Sequence, residues 1–191
     1  SVDVFDVFSS SLETSGFSLQ RSQRHAVLTA GIAQKLVTSR HMAEDTFIAA
    51  ILHDVGHLVI ASQMPTQYAE ISEAASAKGQ PRHAVERETL GIGHGAIGAY
   101  LLGLWGLPFT VVEAVAHHHD PGSVPHFEFD TLGAVHVADV LAHEVGDGGD
   151  AVFTPMNRAY LARVGKEGAI GEWRDLAETC VTDPDAGPRR P

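Results

Sequence analysis

The amino-acid sequence predicts an all-α fold, a single irregular bundle of helices. Three observations predict it. Apolar residues recur three, four and seven positions apart through most of the chain. No window alternates apolar and polar residues as a half-buried strand does. The periodic windows are separated by Gly and Pro, which punctuate helices rather than continue them. No internal repeat at a fixed period is present.

The first 17 or so residues read as a short helix and loop. From about Phe17 to Ser39 a helix is expected, with Leu28, Ile32 and Leu36 on one face. A second runs from about Glu44 to Ala61 with Phe47, Ala50, Ile51 and Leu58 inward, and Pro65 ends it. Tyr68 to Lys78 is a short alanine-rich helix closed by Gly79 and Pro81. A long helix is expected from Arg82 to Gly103, with Ile97, Leu101 and Trp105 on its buried face. Gly106 and Pro108 separate it from Thr110 to His118. Asp130 or Thr131 then caps a helix reaching about His143, which ends in the Gly-rich turn Gly146 to Gly149. Two amphipathic pieces follow, about Met156 to Val164 and Ile170 to Cys180. Residues 1–183 are expected to form one domain, with the core at about 18–145, C-terminal helices at about 156–180 and a loose Pro-rich tail at 184–191.

Hydrophobic residues are 44% and charged residues 19% of 191, the balance of a globular domain rather than a disordered one. The net charge of −11, with 13 scattered basic residues, argues against nucleic-acid binding. The apolar runs are short and glycine-containing and no secretory signal is visible, so a cytoplasmic domain without membrane insertion is expected. With no initiator Met, Ser1 reads as a boundary within a longer chain. One cysteine, Cys180, allows no intramolecular disulfide and reads as core packing. Any metal must therefore be held by nitrogen and oxygen.

The 12 histidines are the unusual feature. His25 precedes Leu28, Ile32 and Leu36 by three, seven and eleven residues, so it lies on their stripe. Asp54 follows Ile51, Ala50 and Phe47 by three, four and seven, with His53 beside it and His57 further along the same expected helix. His94 precedes Ile97, Leu101 and Trp105, His118 follows Val111 and Val115, and Asp139 follows Leu132 and Val135. One inward histidine is more often a satisfied core residue than a ligand. Two inward aspartates with four inward histidines are different, because buried carboxylates need a cation and almost no Lys or Arg shares these faces. Imidazole with carboxylate suits a first-row divalent ion. A carboxylate can bridge two ions, and a two-ion site lowers the pKa of bound water and takes up phosphoryl oxygen.

The string His25, His53-Asp54, Asp139 resembles the H…HD…D signature of HD-superfamily phosphohydrolases. Segments AAILHDVGHLVI, HGAIGAYLLGLWGLP, VVEAVAHHHDP and AVHVADVLAH, with YLARVG and EWRDL, resemble HDOD domains, HD-related output domains of bacterial signalling proteins. The resemblance covers most of the chain and is nearest to the output half of a two-component response regulator. It implies the HD-type bundle, and a first ion held by His25, His53, Asp54 and Asp139. It also implies a second ion held by Asp54, His94 and His118 with His119 close by. The metal would be one or two ions of Fe, Mn, Zn, Ni or Co. The activity implied is hydrolysis of a phosphodiester or nucleotide phosphate, with Asp54 and His57 as catalytic residues. The alternative implied is a non-catalytic output module that binds metal and acts through signalling proteins: a receiver domain, a kinase or a cyclic-dinucleotide enzyme.

The sequence departs from the family at three points. His57 replaces a phosphate-contacting lysine, where it would bind phosphate when protonated or become an extra ligand. The GYP motif of the related cyclic-dinucleotide phosphodiesterases is absent after His119. Arg21 stands where three-metal relatives carry a glutamate, so two ions at most are expected. HDOD domains normally begin with another helical subdomain before this point, so the chain is expected to be a fragment of a longer protein.

Other motifs are set aside. GHGAIG, Gly93 to Gly98, matches a dinucleotide fingerprint but no strand leads into it, so its glycines are read as close-packing positions. His41, His83 and His126 are read as solvated, while His136 and His143 flank Asp139 as candidate supports.

Overall fold

The computed structural model describes residues 12–146 and 153–182. It is all-α: among the described residues there is no strand, and residues 12–15 are helical ahead of the main elements. These elements are α1 Leu19–Leu36, α2 Arg40–Leu52, α3 Val55–Gln63, α4 Pro65–Lys78, α5 Arg82–Leu90, α6 His94–Leu104, α7 Phe109–His117, α8 Thr131–Val145, α9 Arg158–Arg163 and α10 Ile170–Thr182. Single 3₁₀ turns lie at Pro121–Ser123 and Glu167–Ala169. The tail at 184–191 and the turn residues 147–149 lie outside the described residues.

Local chemistry sets several of these boundaries. Ser18 caps α1 through the Arg21 amide, Asp130 caps α8 through the Gly133 amide, and Asn157 caps α9 through the Tyr160 amide. Two expected helices are each broken in two. The stretch expected from Glu44 to Ala61 turns at His53-Asp54, where Asp54 sits at φ −99°, ψ 9°, so His57 belongs to α3 and not to the helix carrying His53. The stretch expected from Arg82 to Gly103 is cut at Gly91, whose φ of 74° ends α5 in the left-handed conformation that glycine adopts freely. Pro65 starts α4 at its first turn, where a missing N–H costs nothing. The breaks also re-phase the faces. Phe47 and Trp105, expected inward, are exposed at 42% and 62%.

Helix α8 is the axis of the core. Every residue from Thr131 to Ala142 is buried, with α1, α2, α7 and α10 packed around it. Ile32, Ala49, Ala50, Val111, Val115, Leu132, Val135 and Leu141 interlock here at 1% exposure or less. Cys180 packs at the edge of this cluster, as expected. Helices α4 and α5 form a satellite around Ile71 and Val85. By length and composition Arg40–Gln63 is apolar enough to cross a membrane, with a mean hydropathy of 1.2. Its two halves, however, meet at the turn bearing His53 and Asp54 and pack against different helices.

Helices α3 and α6 approach unusually closely. A Cβ on Gly56 would stand 2.0 Å from the His94 carbonyl oxygen. One on Gly95 would stand 2.9 Å from the Val115 carbonyl oxygen, so α6 also lies close on α7, though less tightly. The glycines of GHGAIG therefore serve packing, as the sequence suggested. Gly56→Ala should destabilise the fold by about 1–3 kcal/mol through forced separation of α3 and α6. Urea unfolding measures it, and an unchanged midpoint would show that the helices part without cost.

Candidate metal centre

The ends and middles of five helices deliver the polar set to one place. His25 comes from α1, His53 and Asp54 from the α2–α3 turn, His94 from the first position of α6, His118 and His119 from the end of α7, and Asp139 from the middle of α8. His53, His94 and His118 are fully buried, and Asp139 is 2% exposed. Their ligand atoms fall into two groups, each close enough to hold an ion: His25, His53 and Asp139, and Asp54, His94, His118 and His119. His25 Nε2 lies 3.0 Å and His53 Nε2 3.6 Å from Asp139 Oδ1.

Asp54 stands between the groups. Its Oδ2 is 3.3 Å from His53 Nε2, whereas its Oδ1 is 3.3 Å from His94 Nε2 and 3.8 Å from His118 Nε2. One carboxylate thus offers one oxygen to each side.

The imidazoles are fixed by their outer nitrogens. His53 Nδ1–H donates to the Ala50 carbonyl at 2.7 Å and His118 Nδ1–H to the Val115 carbonyl at 2.8 Å. His94 Nδ1 meets Glu86 Oε2 at 2.7 Å, and the same oxygen accepts the His94 amide at 2.7 Å. With Nδ1 protonated, each Nε2 turns a lone pair inward. His94 Nε2 then faces His118 Nε2 at 3.4 Å and His119 Nε2 at 3.0 Å, and His53 Nε2 is buried with no hydrogen-bond partner. Lone pairs converging on lone pairs in a buried space need a proton or a metal cation among them. The donor set fits a divalent ion of the first transition row.

Charge balance shows the same need. Burial disfavours a charged ring at His53, but Asp54 and then Asp139 outweigh it and hold the ring well above the ordinary imidazole range. At His94 burial is likewise outweighed by Glu86 and Asp54, and the pKa is pushed up to about 9. His118 is pushed down to about 3 by burial and by the His53 and His94 charges. Burial alone would raise the Asp54 and Asp139 carboxyls; the surrounding histidines instead keep both well below the usual range. Without metal, the site keeps its carboxylates ionised by drawing protons onto its histidines.

Sequence reasoning missed two residues here. Glu86 is 1% exposed and lies against both His94 and His57. Its signal was legible: it precedes Leu90 by four and Ile97 by eleven residues, in phase with the apolar stripe. His83, expected to be solvated, stacks on His119 with ring centroids 4.2 Å apart, and Thr154 Oγ1 bonds both rings. His41 is exposed as expected, and His126 pairs with Glu113 and Asp130. Of the two candidate supports, His136 donates Nδ1–H to the His118 carbonyl at 2.7 Å and accepts the Asn157 amide, which braces the end of α7. His143 packs tilted against His25, with ring centroids 4.4 Å apart, and reaches Asp139 Oδ1 at 3.4 Å.

A cavity of about 620 Å³ opens onto Asp54, His94 and His119. Arg21, Arg24 and Arg82 line it. Arg82 donates to the Tyr68 hydroxyl at 2.9 Å and lies over its ring.

The HDOD domain family model matches residues 1–121, ending short of the helix that carries Asp139. An uncharacterized protein of Treponema pallidum is 27% identical over 106 residues, 56% of this chain and 20% of that protein. Three solved structures share the fold. One described as a "Putative signal transduction protein" from Marinobacter aquaeolei matches with TM-score 0.69 and 19% identity over 90% of this chain and 38% of its own. One described as a "Putative phosphohydrolase" from Shewanella amazonensis matches with TM-score 0.60 and 25% identity over 86% and 61%. An HDOD domain protein of unknown function from Geobacter sulfurreducens matches with TM-score 0.60 and 18% identity over 82% and 61%. The chain thus spans only part of each relative.

A ligand nitrogen must be free of its proton to bind metal, so loading should expel the protons held on His53 and His94. Calorimetric titration with a divalent ion at neutral pH, repeated in buffers of different ionisation enthalpy, should show net proton release. Affinity should rise with pH up to about 9, the level to which His94 is pushed. Binding without proton release would contradict this charge balance.

Proposed function

This chain belongs to the HDOD family, and from that premise we propose that it is a metal-dependent phosphohydrolase domain of bacterial signal transduction, acting on a phosphodiester or nucleotide phosphate. The observation that carries the reading is Asp54, whose two oxygens face two histidine groups on the floor of an arginine-lined cavity. His25, His53, Asp54 and Asp139 would hold one divalent ion, and Asp54, His94, His118 and His119 a second. When bound, such ions supply Lewis-acid polarisation of a phosphoryl oxygen and acidify water at neutral pH. The Shewanella protein of the same fold, described as a "Putative phosphohydrolase", supports this reading.

The chain's own residues do the positioning. Arg82, held by Tyr68, and Arg21 and Arg24 on α1 offer cations to a phosphate group in the cavity, where the family's lysine is missing. His57 does not replace that lysine's charge. Burial and the neighbouring His94 charge lower its pKa, so it is neutral at pH 7. His136 and Glu86 keep His118 and His94 in register through the hydrogen bonds described above.

One observation favours a second reading, a metal-binding output module acting through protein contacts. Tyr100, Leu104, Trp105 and Phe109, around the α6–α7 junction, are all more than 60% exposed. The partner would be a receiver domain, a kinase or a cyclic-dinucleotide enzyme.

Asp54→Ala should weaken binding of both ions more than about 100-fold, the upper range for losing a mere outer-shell partner. Metal content and turnover of a cyclic dinucleotide and a generic phosphodiester measure the two consequences. Wild-type turnover that vanishes in the variant supports the phosphohydrolase. No turnover above the variant with Fe, Mn, Zn, Ni or Co removes it and leaves the output module.

A further inference from the structure

We infer that His57 is a ligand of the second ion, turned into that role by Glu86, which makes the second site nitrogen-rich and chemically unlike the first. The inference deepens the two-ion reading proposed above and rests on it.

Two parallel rings stand between two carboxylates. His57 and His94 stack with centroids 3.7 Å apart and planes 26° apart. At one end Glu86 meets both Nδ1 atoms, Oε2 at 2.7 Å from His94 and Oε1 at 3.2 Å from His57. At the other end Asp54 Oδ1 lies 3.3 Å from His94 Nε2 and 3.9 Å from His57 Nε2. The two rings present the same edge to the same oxygen, and although His57 clusters most closely with Glu86 and His94, a short inward movement of its ring would bring Nε2 to a cation shared by His94 and Asp54.

Glu86 acts as a proton acceptor for this pair. Its Oε2 already takes the His94 amide and the His94 Nδ1–H, while its Oε1 has no hydrogen-bond partner and faces His57 Nδ1. The carboxylate fixes the Nδ1–H tautomer of His94, and its charge 3.2 Å from His57 Nδ1 favours the same tautomer there, which leaves each Nε2 lone pair toward Asp54. His57 is 9% exposed, lies flat against His94 and lines the same cavity as Asp54 and His94.

The two sites then differ in chemistry. The first has two imidazoles, His25 and His53, with two carboxylates, Asp54 and Asp139. The second has His57, His94, His118 and His119 with Asp54 alone. Imidazole-rich sites suit Zn, Ni and Fe, whereas carboxylate-rich ones accept Mn.

The test is calorimetric titration of the metal-stripped chain with Zn²⁺, with bound zinc counted by mass spectrometry and imidazoles per zinc by X-ray absorption. Wild type is compared with His57→Lys and with the isosteric Glu86→Gln, each checked for helix content by circular dichroism. The expected result is two zinc ions in wild type. One ion should bind more than about 100-fold more weakly in His57→Lys and about 10- to 100-fold more weakly in Glu86→Gln, while the other is unchanged. In His57→Lys the imidazole count per zinc should also fall. Two ions of wild-type affinity in folded His57→Lys would overturn the ligand role and leave the two-ion centre standing. Loss of both ions from a folded variant would overturn it too, since His57 would then support the whole centre. A wild-type chain that takes up no zinc overturns the centre itself, and this inference with it.

Discussion

The structure depends on keeping two carboxylates ionised inside a helical core. Asp54 and Asp139 are surrounded by histidines, and an ionised carboxylate so placed is tolerable only if cations compensate it. A single charge would be met by a single protonated ring. Here seven imidazoles, His143 included, lie around three carboxylates, and the two oxygens of Asp54 face different histidines. The arrangement is over-supplied with nitrogen lone pairs for hydrogen bonding alone, and well supplied for divalent ions.

The backbone is organised around that need. Turning the chain at His53-Asp54 lets neighbouring residues, which diverge by about 100° on a continuous helix, serve one centre. The bare Cα of Gly56 then lets α3 lie against the start of α6, which brings His94 within reach of Asp54. Helix α8, buried along most of its length, supplies Asp139 from a position that cannot move independently of the core. Carbonyls of Ala50 and Val115 pin two imidazoles, and a carboxylate pins a third. The centre is therefore built by helix ends and held by helix cores.

Much of this was legible in the sequence, because helical periodicity reports which polar residues face inward. His25, His94, His118 and Asp139 were placed by their spacing to Leu28, Ile97, Val115 and Val135. Periodicity fails where the chain breaks phase, and the two breaks account for most of the differences. At His53-Asp54 no Gly or Pro marks the turn, so Phe47 was placed inward although it is exposed. Beyond Gly91 the single-helix reading put Trp105 on the core face, whereas α6 ends before it. Glu86 was passed over because a charged neighbourhood, Glu86-Arg87-Glu88, reads as a solvated face unless its phase is checked. His83 was unreadable for another reason: its partners His119 and Thr154 are distant in sequence, and only the fold brings them together.

Family membership gives the bundle, and solved structures share its fold. In this chain His57 is a buried imidazole backed by Glu86, and Arg21, Arg24 and Arg82 line the cavity. The central claim is that Asp54 joins two metal ions. Anomalous diffraction at the metal edge, from crystals grown with a divalent transition ion, tests it most directly. Two peaks, one on each side of the Asp54 carboxylate, are expected. No peak within coordination distance of Asp54 would contradict the account.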